Sequence, residues 1–107
     1  MRKAEVYRNG ILAGVLIQEN SKSYIFKYND QYYSDNSKSA ISLTLPKKQK
    51  EYRSEVLFPF FFNMLSEGVN RKLQSKHLRI DEKDYFGLLI ETANFDTIGA
   101  ITLKPIS

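Results

Sequence analysis

The chain has 107 residues, with no cysteine, no tryptophan and one histidine, and 16 Lys and Arg against 12 Asp and Glu leave a net charge of +4. This length suits one domain, 1–107, built around one core. The missing cysteines exclude a disulfide framework, a thiolate nucleophile and a Cys-based zinc or iron–sulfur site, and the lone His77 excludes a multi-histidine metal centre. Residues 2–8 alternate loosely around Ala4, Val6 and Arg8 and predict a strand. Asn9-Gly10 then supplies the strongest short hairpin signal, because a type I′ turn needs positive φ at both central residues. Ile11 to Gln18 returns as a second strand, with Gly14 a bulge or a point of close packing. After a turn at Asn20-Ser21, the aromatic and β-branched run Tyr24 to Tyr28 predicts a third strand, completing an antiparallel meander.

Asn29 to Ser39 is polar and predicts a loop holding one helical turn around Tyr32-Tyr33. Ile41-Ser42-Leu43-Thr44-Leu45 alternates apolar residues with hydroxyls, the period of a half-buried strand, and Pro46 stops it. Lys47 to Lys50 is a short basic loop beside Glu51. Pro59 suits the first turn of a helix, so a short helix is expected over Phe60 to Ser66, broken at Gly68. Val69, Leu73, Lys76 and Ile80 fall near helical spacing and predict a second, amphipathic helix. Asp81 is the expected N-cap of a third, with Glu82 and Asp84 in its acidic first turn and Tyr85, Phe86, Leu88 and Leu89 on its inner face. Ile98 to Leu103 reads as a last strand closed by Pro105. The expected class is α+β: a mostly antiparallel sheet with a few helices packed on it.

The basic start Met1 to Arg8 leads into no apolar h-region, and no stretch reaches the ~20 apolar residues that span a bilayer. The expectation is a cytoplasmic protein without membrane contact. No chemistry declares itself. His77 lies in a solvated Lys-Gln-Ser-Lys-His run, and Asp81, Glu82 and Asp84 are explained as capping groups. The five glycines form neither a dinucleotide nor a P-loop fingerprint, and no H-R-D or D-F-G is present. No catalytic residue, cofactor or metal is expected. A pI near 9.3 and the Lys47 to Lys50 loop leave a small nucleic-acid binder as an alternative; Arg71, Lys72, Lys76 and Arg79 read more simply as a solvated helix face.

Phe60-Phe61-Phe62 cannot all face one core from a short helix, because successive residues stand ~100° apart. Phe61, Met64 and Leu65 can share the buried stripe; Phe60 or Phe62 must then point into a second layer or outward, where an aromatic could anchor a partner.

Several segments, in order, resemble the N-terminal subdomain of HipA-type serine/threonine kinases. They are Val6-Tyr7-Arg8-Asn9-Gly10 with Gly14, Phe26-Lys27-Tyr28, Ile41 to Pro46, Pro59 to Gly68, Asp84 to Leu89 and Ile98 to Pro105. The family's helix usually reads Phe-Phe-Asp-Asn-Leu-Leu-Pro-Glu-Gly; here Phe62 replaces the acid and Ser66 the proline, and Val69 stands where an aromatic often follows the glycine. The chain's end at Ser107, ahead of any catalytic core, is expected to make it a free-standing subdomain similar to HipS, the small antitoxins of tripartite HipBST systems. The resemblance implies a HipT-like kinase toxin as the partner to be bound and neutralised, with a HipB-like DNA-binding protein in the same complex and no direct contact with nucleic acid. A non-inhibitory accessory subunit of a split kinase is the alternative. The expected partner surface centres on the helix break: Phe62, Ser66, Glu67, Gly68, Val69, Asn70, Arg71 and Lys72. Val69 or Phe62 would supply its apolar anchor, and Arg71 and Lys72 its polar rim.

Overall fold

The computed structural model describes residues 1–65, 68–92 and 101–106, with the backbone alone for 68–71. Asn9 and Gly10 take φ of 52° and 79°, so the expected tight turn forms and joins β1 (Arg2–Arg8) to β2 (Ile11–Asn20). β3 (Ser23–Tyr28) completes the meander. The register shifts between Val6 and Tyr7, where Val6 faces Gly14 and Tyr7 faces Leu12, leaving Ala13 as the bulged residue. Gly14 is a point of close packing. A Cβ there would strike the Lys27 carbonyl oxygen and come within 2.9 Å of the Phe26 ring.

Two further strands make a five-stranded sheet in the order β4-β3-β2-β1-β5. β4 (Glu51–Ser54) is an edge strand that the sequence pattern does not announce, since only Tyr52 of its four residues is apolar. β5 (Ile101–Ile106) runs through Pro105 rather than stopping before it. Pro105 pairs opposite Ala4 on an outer strand, where a missing N–H disrupts no second partner. Residues 98–100 of the expected last strand lie outside the described residues.

One face of the sheet carries Ala4, Val6, Leu16, Phe26, Tyr28 and Leu103, all buried. The covering layer comprises α1 (Asp30–Ser34), α2 (Pro59–Phe62) and α4 (Tyr85–Thr92), with the loop between α1 and β4, while α3 (Gly68–Leu78) contributes no described side chain to the core cluster. α1 is the single turn expected near Tyr32-Tyr33, capped by the Asn29 side chain on the N–H groups of Gln31 and Tyr32. α2 is shorter than the expected Phe60 to Ser66, with Pro59 in its first turn and Asn63 as its C-cap. Phe61 is fully buried, while Phe60 and Phe62 are half-buried and pack against the same core, so neither leaves it for a second layer.

Three further expectations are corrected. Ile41 to Leu45 is a turn, not a strand. Its ends are held by one side chain: Tyr28, 1% exposed, donates its hydroxyl proton to the Leu45 carbonyl and accepts from the Ile41 N–H at 3.1 Å. Between them Thr44 N–H donates to the Ser42 hydroxyl and Leu45 N–H to the Ser42 carbonyl, a local competition that a strand ladder loses. The third helix starts at Tyr85, and Asp84 rather than Asp81 caps it, accepting from the Gly87 N–H at 3.1 Å. α3 begins at Gly68 and stops before Ile80, with Arg79 at φ 58° and the Ile80 N–H returning to the Ser75 carbonyl, a Schellman ending with arginine in the glycine position. Of its expected inner face, Leu73 is 59% exposed, while Ile80, past the helix end, packs against the core.

Burial pushes the Tyr28 phenol up to about 12, against the lowering effect of the Ile41 N–H. A phenol whose folded pKa lies above the unfolded value near 10 supports the fold fully below that value and loses its contribution as pH rises toward 12. Urea unfolding should therefore show stability falling between about pH 10 and 12. Tyr28→Phe at neutral pH should cost about 1–3 kcal/mol, because it leaves the Leu45 carbonyl and Ile41 N–H buried without their partner.

Candidate partner-binding surface

The expected binding residues flank a single helix-to-helix connection. Upstream, β4 ends at Ser54, Val56 is 65% exposed, and Leu57 and Phe58 are buried. Pro59 then starts α2, which directs Phe61 into the core against Phe58 and Phe60. Phe62 falls on the next face and meets Tyr85 of α4 edge-to-face, with ring centroids 5.1 Å apart. Val56, Leu57, Pro59, Phe62, Asn63 and Tyr85 thereby line an open groove of about 290 Å³. Ser66 and Glu67 lie outside the described residues. Gly68, Val69, Asn70 and Arg71 form the first turn of α3, and Lys72 follows, exposed. Within the expected set, the described side chains are those of Phe62 and Lys72.

The groove continues, through Val56, Leu57 and Tyr85, into a larger open cavity of about 460 Å³. Its floor is polar and was not foreseen. Arg2, Gln18 and Tyr24 pair across β1, β2 and β3 at one end of the inner face. The Arg2 guanidinium is bidentate on Asp84, at 3.0 and 2.6 Å, donates to Gln18 at 2.8 Å, and lies over the Phe86 ring at 5.1 Å. This clamp fastens the start of α4 to the sheet. The hydrogen bonds from Arg2, assisted by the Gly87 N–H, hold the Asp84 carboxyl below its ordinary range despite partial burial. Gly87 makes the clamp possible, since a Cβ there would collide with an Asp84 carboxylate oxygen and lie 3.2 Å from the Arg2 guanidinium.

The remaining polar features have structural roles. Asp81 accepts from the Lys83 N–H at 2.8 Å and closes the turn before α4. Lys47 donates to the Asp35 and Lys38 carbonyls at 2.7 and 2.8 Å and lies over the Tyr32 ring, while Lys50 pairs with Asp30. Two of the basic-loop cations are thus engaged within the chain. Among the described residues no cluster of potential metal ligands occurs, and no helix is long and apolar enough to cross a membrane. Val56, Tyr85 and the Arg2–Asp84 clamp escaped sequence reasoning because each matters through a residue far away in the chain. The one local hint was Asp84, three residues before Gly87.

A family model described as the HipA N-terminal domain matches residues 4–104. The chain belongs to that family. A solved structure described as the N-terminal domain of HipA toxin matches it with a TM-score of 0.74 at 28% identity, covering 100% of this chain and 94% of the other. An uncharacterised protein of Haemophilus influenzae is 30% identical over 104 residues, 97% of this HipA N-terminal domain and 92% of that protein. A protein of Sinorhizobium fredii that carries a kinase name, Y4mE, is 26% identical over 105 residues, 98% of this chain but 25% of its own length.

Within this HipA N-terminal domain, Gly87→Ala should lower stability by about 1 kcal/mol, although alanine is the better helix former by a similar amount, because the new methyl displaces the capping carboxylate. Asp84→Ala should cost about 1–2 kcal/mol at pH 7 by removing the cap and the partner of Arg2. A carboxyl depressed on folding contributes above its unfolded pKa and ceases to as pH falls. The difference between wild type and Asp84→Ala should therefore shrink as pH drops below the ordinary carboxylate value near 3.8, which denaturant unfolding at stepped pH measures.

Proposed function

We propose that this chain is a non-catalytic antitoxin of the HipS kind, which binds a HipA-type serine/threonine kinase toxin and holds it inactive. The observation that carries the reading is one of proportion. The same domain makes up a quarter of a kinase-named relative and nearly all of a small one. A domain that pairs with a kinase core in one chain can do so from a separate chain. Neutralisation then needs only that the small protein bind the inactive kinase more tightly than the active one. Packing beside the kinase N-lobe, it can hold the Gly-rich loop or plug the nucleotide cleft. The kinase is of the HipT class, and a HipB-like DNA-binding protein joins the same complex. Contact runs through the helix connection, with Phe62 or Val69 as anchor, Arg71 and Lys72 as rim, and Ser66, Glu67, Gly68 and Asn70 between them. The groove beside Phe62 and the exposed Lys72 support that placement.

Co-expression with a HipA-type kinase that lacks this domain tests the reading. Restored growth is the expected result. Continued toxicity in the presence of a stable complex identifies a non-inhibitory accessory subunit instead, and absence of any complex removes both. Val69→Asp should weaken kinase binding at least about tenfold, equivalent to roughly 1.4 kcal/mol, without altering the melting temperature of the free chain. Unchanged affinity in calorimetric titration would move the interface elsewhere.

A further inference from the structure

The two outer edges of the sheet differ. β5 carries Pro105, which offers no N–H to a further strand. β4 carries no proline. The Tyr28 N–H donates to the Lys50 carbonyl at 2.8 Å, and the register continues with Phe26 opposite Tyr52 and Tyr24 opposite Ser54. Antiparallel bonding alternates from one residue to the next. Lys50, Tyr52 and Ser54 therefore turn their backbone groups toward β3, and Glu51 and Arg53 turn theirs away from the sheet. Among the described residues, only the Gln49 side chain meets those outward groups, donating to the Glu51 carbonyl at 2.8 Å. Tyr52 packs against the core, so Glu51 and Arg53 project from the opposite face, exposed. There the Arg53 guanidinium lies 3.0 Å from the Glu51 carboxylate and 3.8 Å from that of Glu19.

We propose that this edge pairs with the same edge of a second copy of the chain, antiparallel about Tyr52, joining two five-stranded sheets into one. The strand's own charges select that occupant and its register. With Tyr52 opposite Tyr52, Glu51 of each copy stands opposite Arg53 of the other. Both are residues whose N–H and C=O point outward, so the strand bonds and the opposite-charge pairs form together. A slip of one residue loses the bonding phase. A slip of two keeps it but sets Glu51 against Glu51 or Arg53 against Arg53, and like charges directly opposite oppose pairing. Charge on an edge ordinarily discourages a further strand; here the alternation of sign discourages every register but one. At the two-fold, the Tyr52 rings meet in the closely spaced, non-bonded position, each steadied by its hydroxyl bond to the Pro46 carbonyl at 2.6 Å. Gln49 is exposed, and its amide yields the Glu51 carbonyl to the incoming N–H. This pairing is independent of whether the chain inhibits a kinase.

The test is sedimentation velocity of the full chain at about 0.01–1 mM, a range that suits a contact smaller than the roughly 800 Å² per side of a stable interface. Wild type should pass from monomer to dimer as concentration rises. Arg53→Glu sets Glu opposite Glu51, and Glu51→Arg sets Arg opposite Arg53; each should weaken association roughly tenfold. Combining Glu51→Arg with Arg53→Glu restores opposite charges across the pair and should recover association to within about threefold of wild type. Arg53→Pro removes an outward N–H and should abolish the dimer, while the dilute chain melts close to wild type because its own ladder loses no bond there. Should that variant melt early, the charge exchange decides alone. A wild type that stays monomeric throughout overturns the pairing. So does a dimer that ignores the single charge reversals, or one that the double exchange fails to recover. A monomeric wild type whose affinity for a HipA-type kinase falls with Arg53→Pro would assign the edge to a strand of that partner, and overturns it too.

Discussion

A buried phenol sets the terms for half of this structure. Tyr28 sits on the inner face of the sheet, edge-on to Phe26 at 4.9 Å and stacked with Tyr32 at 6.0 Å. A hydroxyl in that setting must find partners, because an unmatched polar group in an apolar interior is costly. The chain meets the requirement by folding residues 41–45 back over the sheet as a turn. Helix α1, the Lys47 contacts and the path into β4 follow from that cover. The aromatic cluster in turn depends on Gly14, whose missing side chain leaves room for the Phe26 ring.

The opposite end of the inner face solves a related problem by charge. Arg2, Gln18 and Tyr24 would leave a polar margin open to solvent beside the core. Asp84 closes it, and the same carboxylate caps α4. The two ties, a phenol on one loop and an ion pair on one helix, bracket an otherwise apolar layer of Val6, Leu16, Phe61, Phe86 and Leu89.

What could be read from sequence was local. Asn9-Gly10, the three meander strands, the turn at Tyr32-Tyr33 and Pro59 at a helix start all depend on neighbours within a few residues, and all form as expected. Ile41 to Leu45 misled because alternation reports which side chains are apolar and not which backbone groups already have partners; the Tyr28 hydroxyl, 13 and 17 residues away, decides the matter. β4 was missed because an edge strand with one aromatic has almost no period to detect. Three acids within four residues, Asp81, Glu82 and Asp84, concealed which one capped α4, since the choice depends on Arg2. The same limit governs the binding surface. The crowding of three phenylalanines pointed to Phe60 or Phe62, whereas Val56 and Tyr85 became visible only when β4 and α4 were brought beside Phe62.

The pairing of β1 with β5 has a consequence for how the chain is made. During synthesis the β1–β2–β3 meander emerges first and can form by short turns, but β1 then presents an unpaired edge until β5 leaves the ribosome. Asp84, 82 residues beyond Arg2 in sequence, is also late to arrive. Closure of that side is therefore a slow, long-range event, and the nascent sheet must survive with an open flank. Lys3, Glu5 and Arg8 along β1 place charges on that temporary edge, the feature that keeps exposed strands from joining their neighbours. Lys3, Glu5 and Arg8 thus put charge on a strand that only the late-arriving β5 makes interior to the sheet.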